Sequence, residues 1–191
     1  QKASFILKIY LSFSIVVKYL INLFYMQKTI DVDSFALKKN HFFKKDLNFL
    51  FEYFNSDKGE SYINQYTQPY KRKNSKITAH GYAKFYEDLF KPIKDKPLKI
   101  LELGSFYGNA SAALFFYFRN ANIYSADINP DMFKYFSQRI NFFFTDSSKR
   151  SSIEKNILNR KVNFDIIIED ASHMLKDQII SLFMLFKILN P

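Results

Sequence analysis

From Leu98 onward, short apolar runs alternate with segments whose apolar residues recur at helical spacing. The runs predict strands over Leu98 to Leu103, Asn122 to Ala126, Ile140 to Thr145 and Phe164 to Ile168. Between and after them the spacing predicts four helices: about Asn109 to Arg119, Pro130 to about Arg139, Ser151 through Leu158, and about Met174 to Leu189. Pro130 suits a first helical turn, and Ser151 with Glu154 can form a capping box. Strand and helix in strict alternation imply an α/β fold with a parallel sheet and helices on both faces.

The first half is patterned differently. Phe43, Leu47, Leu50, Phe51 and Phe54 place one helix between Phe35 and Asn55, and a second runs from Tyr82 to Phe90, ending at Lys91-Pro92. A polar, basic loop from Gln65 to Lys76 lies between them. Ala3 to Met26 is apolar except for one side of its helical wheel, where Lys8, Ser12, Lys18 and Asn22 fall. A spanning helix would hold Lys18 near mid-bilayer, an expensive placement. The pattern therefore predicts an amphipathic helix lying on a membrane or on the domain itself. Three regions result: an N-terminal segment 1–34, a helical lid region 35–97, and a sheet domain 98–191.

Composition changes this picture in three ways. The chain of 191 residues has 4 glycines, so each marks a place where backbone freedom is needed. It has no cysteine, which excludes disulfides, thiolate metal sites and thiol catalysis and fits a cytosolic setting. Its net charge of +10 is uneven, with 17 Lys and Arg against 9 Asp and Glu in residues 1–97. Lys38, Lys39, Lys44, Lys45 and Lys71, Arg72, Lys73, Lys76 form two basic clusters that a nucleic acid or an anionic surface could use, or that simply stay solvated. Gln1 and Pro191 both read as cut ends, so the chain is expected to be a fragment.

The chemistry concentrates where strands end. Glu102, Gly104 and Gly108 give E-x-G-x-x-x-G between the first strand and its helix, with Ser105 in the turn. That strand, turn and helix presents backbone N–H groups to a nucleotide-type ligand, but the carboxylate beside the glycines suits a cationic ligand better than a pyrophosphate. Asp127, 19 residues beyond Gly108, stands where a carboxylate accepts ribose hydroxyls, and Asp146 could accept from an adenine amino group. The fourth strand ends in Glu169-Asp170-Ala171-Ser172-His173. There His173 could act as general base for a hydroxyl, or Asp170 and Ser172 could merely cap the helix that follows.

The glycine turn resembles motif I of class I S-adenosylmethionine (SAM) dependent methyltransferases, with Phe106 at a position often held by glycine. Asp57-Lys58-Gly59, His80-Gly81-Tyr82, ILELGSFYGNAS, IYSADIN, FDIIIEDASH and Gln178 follow one another as in the macrolide-sugar O-methyltransferase group and its cephalosporin-hydroxylase-like relatives, over about residues 56–191. The resemblance implies a Rossmann-like sheet in the order 3-2-1-4 and a SAM pocket at Glu102, Gly104, Ser105, Gly108, Asp127 and Asp146. It further implies a Mg2+ ion on Asp170 and His173 as base. Asp57, Lys58, Gly59, His80 and Tyr82 would be substrate or lid residues, and further metal ligands would lie beyond Pro191. The implied acceptor is a small-molecule hydroxyl such as that of a sugar. A nucleic-acid methyltransferase, or a non-catalytic SAM-binding module at a membrane through residues 3–26, are the alternatives.

Overall fold

The computed structural model describes residues 29–63 and 76–191. In chain order the elements are β1 (Ile30–Asp31), α1 (Val32–Lys38), a 3-10 turn (Asn40–Lys44), α2 (Leu47–Tyr53), β2 (Ser61–Ile63), β3 (Lys76–Thr78) and α3 (Ala83–Phe90). They continue with β4 (Lys99–Leu103), α4 (Asn109–Tyr117), β5 (Asn122–Asp127), β6 (Tyr135–Phe136), β7 (Ile140–Phe144), α5 (Arg150–Asn156), β8 (Ile166–Glu169) and α6 (Leu175–Leu185).

Four parallel strands form the main sheet in the order β7-β5-β4-β8, which is the expected 3-2-1-4 arrangement. The two-residue period of β4 divides the molecule. Ile100 enters a core shared with α1, α2, α3 and α4, whereas Leu101 and Leu103 enter one shared with α5 and α6. Helices therefore cover both faces, as a parallel sheet requires. α4 is buried along its whole length, and its run Ala110-Ser111-Ala112-Ala113 is small enough to let it lie close to the sheet.

Several expected elements differ. The single helix over Phe35 to Asn55 is three short pieces: α1, which Asp31 caps and which ends at Lys39, the 3-10 turn, and α2, which starts afresh where Asp46 caps it. Asp31 accepts the N–H groups of Asp33 and Ser34, and Asp46 accepts that of Phe49 at 2.7 Å. The helix from Pro130 to Arg139 is a 3-10 turn (Pro130–Met132) followed by β6, which pairs with β1. The extended course lets Phe133 stack on Phe142 at 5.0 Å and Tyr135 meet Phe54 edge-on. The capping box is also absent: Lys149 is the N-cap of α5, and the Ser152 hydroxyl accepts the Asp146 N–H instead. The last helix stops at Leu185 and gives way to a 3-10 turn, Phe186–Ile188.

The amphipathic segment 3–26 and Lys71, Arg72 and Lys73 lie outside the described residues. No described helix is long and apolar enough to cross a membrane.

Candidate functional site

At the C-terminal ends of β4, β5 and β8 a cavity of about 480 Å³ opens among Asp57, Lys58, His80, Glu102, Asp127, Asp170 and His173. Ser56, Tyr62, Gly104, Ser105, Phe106, Tyr107 and Ile128 complete most of its wall. A smaller cavity of about 210 Å³, reached past Gly104, Asp127 and Ile128, holds Asp146, Thr145, Ser147 and Ser148. Gly59, Gly108 and Tyr82 line neither. Gly59 packs on α2, Gly108 starts α4, and Tyr82 stands behind His80.

The turn after β4 depends on two glycines. Gly104 has φ +82°, and a Cβ there would lie 2.0 Å from the Asp170 carbonyl oxygen. Gly108 has φ +78°, and its Cβ would lie 2.5 Å from the Phe133 ring. Between them Phe106 takes φ +45°, an uncommon conformation for a bulky residue, where its N–H donates to Asp127 Oδ2 at 2.8 Å. The other Asp127 oxygen accepts the Asn129 N–H, also at 2.8 Å. Asp127 thus braces both loops, and each oxygen keeps a further acceptor position. The Ser105 hydroxyl donates back to the Glu102 carbonyl at 3.1 Å, so that side chain locks the turn.

The charged floor was not foreseen in this form. Lys58, assigned by resemblance to substrate or lid, is 3% exposed. Its Nζ donates to Asp170 Oδ2 and lies 3.5 Å from Glu102 Oε1. Burial opposes its charge, but Glu102, Asp170 and Asp57 outweigh that and hold the ammonium well above the ordinary lysine range. Glu102 is fully buried, which pushes its carboxyl up against the pull of Lys58 and of the Ser111 hydroxyl at 2.6 Å. Burial also pushes Glu169 up, opposed by the Ala171 N–H. Asp146 accepts from Lys149 at 2.8 Å and from the Ser148 hydroxyl at 2.6 Å.

His173 stands at the rim with an exposed imidazole, and its Nε2 is 3.8 Å from Asp170 Oδ1. Its backbone is left-handed, φ +56°, which turns the chain between β8 and α6. His80 lies across the mouth with Nε2 3.9 Å from Asp57 Oδ2, and its ring stacks on Tyr82 at 5.2 Å. The backbone knits these two segments together, with the His80 N–H on the Asp57 carbonyl and the Gly81 N–H on that of Gly59.

Among the described residues no group of three or more His, Asp and Glu could hold a metal ion. Asp170 offers one ligand, and one of its oxygens is already taken by Lys58. The described residues therefore do not make a magnesium site by themselves.

Reasoning from sequence also missed Tyr62, Tyr107, Ile128, Thr145, Ser147 and Ser148. Ile128, Thr145, Ser147 and Ser148 carried a signal, because they sit beside the strand-end carboxylates, and Tyr107 lies in the turn between Gly104 and Gly108. Tyr62 carried none.

Fold and site together define an α/β protein with a Rossmann-like sheet and an acidic crevice beyond its strand ends. No protein-family profile matches the chain. It is similar to the 8-demethyl-8-alpha-L-rhamnosyl tetracenomycin-C 2'-O-methyltransferase of Streptomyces olivaceus, with 28% identity over 119 residues, 59% of this chain and 31% of that one. The chain thus spans about a third of that curated relative's length. Among solved structures, the MycE methyltransferase of the mycinamycin biosynthetic pathway, in complex with Mg and SAH, aligns with 25% identity and a TM-score of 0.47 over 58% of this chain and 29% of that one. A Plasmodium falciparum structure described as a putative protein-L-isoaspartate O-methyltransferase with S-adenosyl-L-homocysteine aligns over 81% of this chain and 77% of its own, at 13% identity and a TM-score of 0.44. The resemblance to sugar O-methyltransferases read from the motifs is borne out by the Streptomyces relative.

Proposed function

We propose that this chain carries the cofactor crevice and the base of a SAM-dependent O-methyltransferase whose acceptor is a small-molecule hydroxyl such as that of a sugar. The observation that carries this reading is the charge of the crevice. Four carboxylates, Asp57, Glu102, Asp127 and Asp170, meet one buried ammonium, Lys58, and the excess negative charge suits a cationic ligand. SAM supplies a methyl group on such a cation, a sulfonium. The free acceptor positions of Asp127 suit ribose hydroxyls, and the smaller cavity beside Asp146 suits the adenine. The curated relative, a rhamnosyl tetracenomycin-C 2'-O-methyltransferase, supports this reading.

The base would be His173. Its Nε2 takes the proton from the acceptor hydroxyl as that oxygen bonds to the methyl carbon and the carbon–sulfur bond breaks, leaving neutral SAH. Asp170, 3.8 Å away, faces the resulting imidazolium. His80, backed by the stacked ring of Tyr82, presents a flat imidazole face at the mouth, suited to the apolar face of a sugar ring. Magnesium would have Asp170 as its contact here.

Calorimetry with SAM and SAH tests the crevice. Asp127→Asn should weaken SAM binding by about 1 to 3 kcal/mol, because the amide cannot accept at every position the carboxylate does. Unchanged affinity in a folded variant would remove Asp127 from the cofactor site.

A further inference from the structure

The stretch Leu37 to Lys45 sorts its residues cleanly. Phe42 is buried, and Phe35, Ala36 and Phe43 pack against the core around α4. What remains outward is Leu37, 86% exposed, together with Lys38, Lys39, Asn40, His41, Lys44 and Lys45. Four lysines within eight positions carry no acidic residue among them. The neighbouring acids are engaged: Asp33 accepts from the Ser137 hydroxyl and the Gln138 N–H, and Asp46 accepts the Phe49 N–H. Arg119 adds an exposed guanidinium, held over the Phe43 ring at 5.0 Å. Leu37, Asn40, Phe43 and Arg119 share a cavity of about 520 Å³, wide enough for a phosphate or carboxylate head group.

We propose that this face is a docking surface for an anionic lipid bilayer, with Lys38, Lys39, Lys44, Lys45 and Arg119 on head groups and Leu37 in the interfacial apolar layer. Charge complementarity is the first argument, since clustered lysines beside a membrane are drawn to acidic lipids. The second is continuity along the chain. The amphipathic pattern of residues 3–26 ends eleven positions before Leu37, and a weak apolar anchor becomes durable when joined to a basic patch. Single-stranded nucleic acid fits less well, because it needs free outward aromatic faces for its bases: Phe42 is buried, Phe43 lies under the Arg119 guanidinium, and the outward rings of Phe49 and Tyr53 are stacked on each other with the Lys45 ammonium over Phe49. The surface is independent of the proposed methyl transfer.

The test is co-sedimentation of the full chain with phosphatidylcholine vesicles, with and without phosphatidylserine, at low and high sodium chloride. Serine-lipid vesicles should retain the protein at low salt, and high salt should release it. The combined variant Lys38→Glu, Lys39→Glu, Lys44→Glu, Lys45→Glu, checked for folding by its melting transition, should bind them at least about tenfold more weakly. Binding that is equal on both vesicle types, or undiminished in that variant, would overturn the proposal. So would retention by single-stranded RNA with none by phosphatidylserine vesicles at the same salt.

Discussion

At Gly104 the added methyl of an alanine would meet backbone, the Asp170 carbonyl, and backbone cannot rotate aside. At Gly108 it would meet the ring of Phe133, a side chain with some room to give. Both positions have positive φ, so both substitutions carry conformational strain, but the collision decides the order. Gly104→Ala should fail to fold or lose far more stability than Gly108→Ala, as read by urea denaturation; equal losses would contradict the close approach of the β4 turn to β8. This much was legible in the sequence, because glycine is scarce and two glycines bracketed one turn. The contact of Lys58 with Asp170 was not, since 112 residues separate them and nothing local marks a buried ammonium. For Asp146 the signs are definite. Hydrogen bonds from Lys149 and Ser148 hold its carboxyl below the ordinary aspartate range, so its stabilisation is present above that range and is lost as pH falls through the folded pKa. Lys149→Met should raise that folded pKa and move the acid limb of the melting-temperature profile upward; an unshifted limb would show that the bridge is screened away. If His173 is the base, His173→Ala should cut SAH release with glycoside acceptors by about two to four orders of magnitude while SAM affinity holds.

Among the elements, α4 depends on a residue from a different part of the chain. Arg139, just before β7, lays its guanidinium over the Phe115 ring at 3.7 Å and donates to the carbonyls of Phe115, Phe118 and Ala121. Phe115 lies in the last turn of α4, Phe118 caps it and also accepts the Ala121 N–H, and Ala121 is in the loop that follows; a cation at this end also answers the helix dipole. Arg139→Met keeps much of the apolar stem but removes the guanidinium from all three carbonyls, of which Phe118 keeps the Ala121 N–H. It should cost roughly 2 to 3 kcal/mol in urea denaturation, and a loss within experimental error would mean that water replaces the guanidinium. The periodicity of α4 was readable, and so were all four sheet strands to within about two residues. The region from Pro130 to Arg139 was misread as helix because proline suits a first turn, while the rings that hold it extended, Phe142 and Phe54, belong to distant segments. The helix over Phe35 to Asn55 was misread because the positions that divide it, Lys39 and the capping Asp46, look in sequence like ordinary polar positions on a helical face.

For the molecule as a whole, the sheet order followed from strand and helix alternation plus the resemblance, but its consequence for the surface did not. β8 reads as a doubly buried strand, yet among the described residues it pairs only with β4. Beside its free edge α6 turns Leu182 and Phe183 outward and the 3-10 turn after it turns Phe186 outward, each more than 60% exposed, and Leu182 and Phe186 line a groove of about 550 Å³. An unpaired parallel edge next to a continuous apolar face invites association. The 191-residue chain should therefore sediment as concentration-dependent oligomers. Phe183→Glu combined with Leu182→Lys should shift it toward monomer without lowering its melting transition, because neither side chain contributes to the two cores. A parent chain that sediments as a monomer across the concentration range would show that this face is tolerated in water, and the double variant would then have nothing to correct.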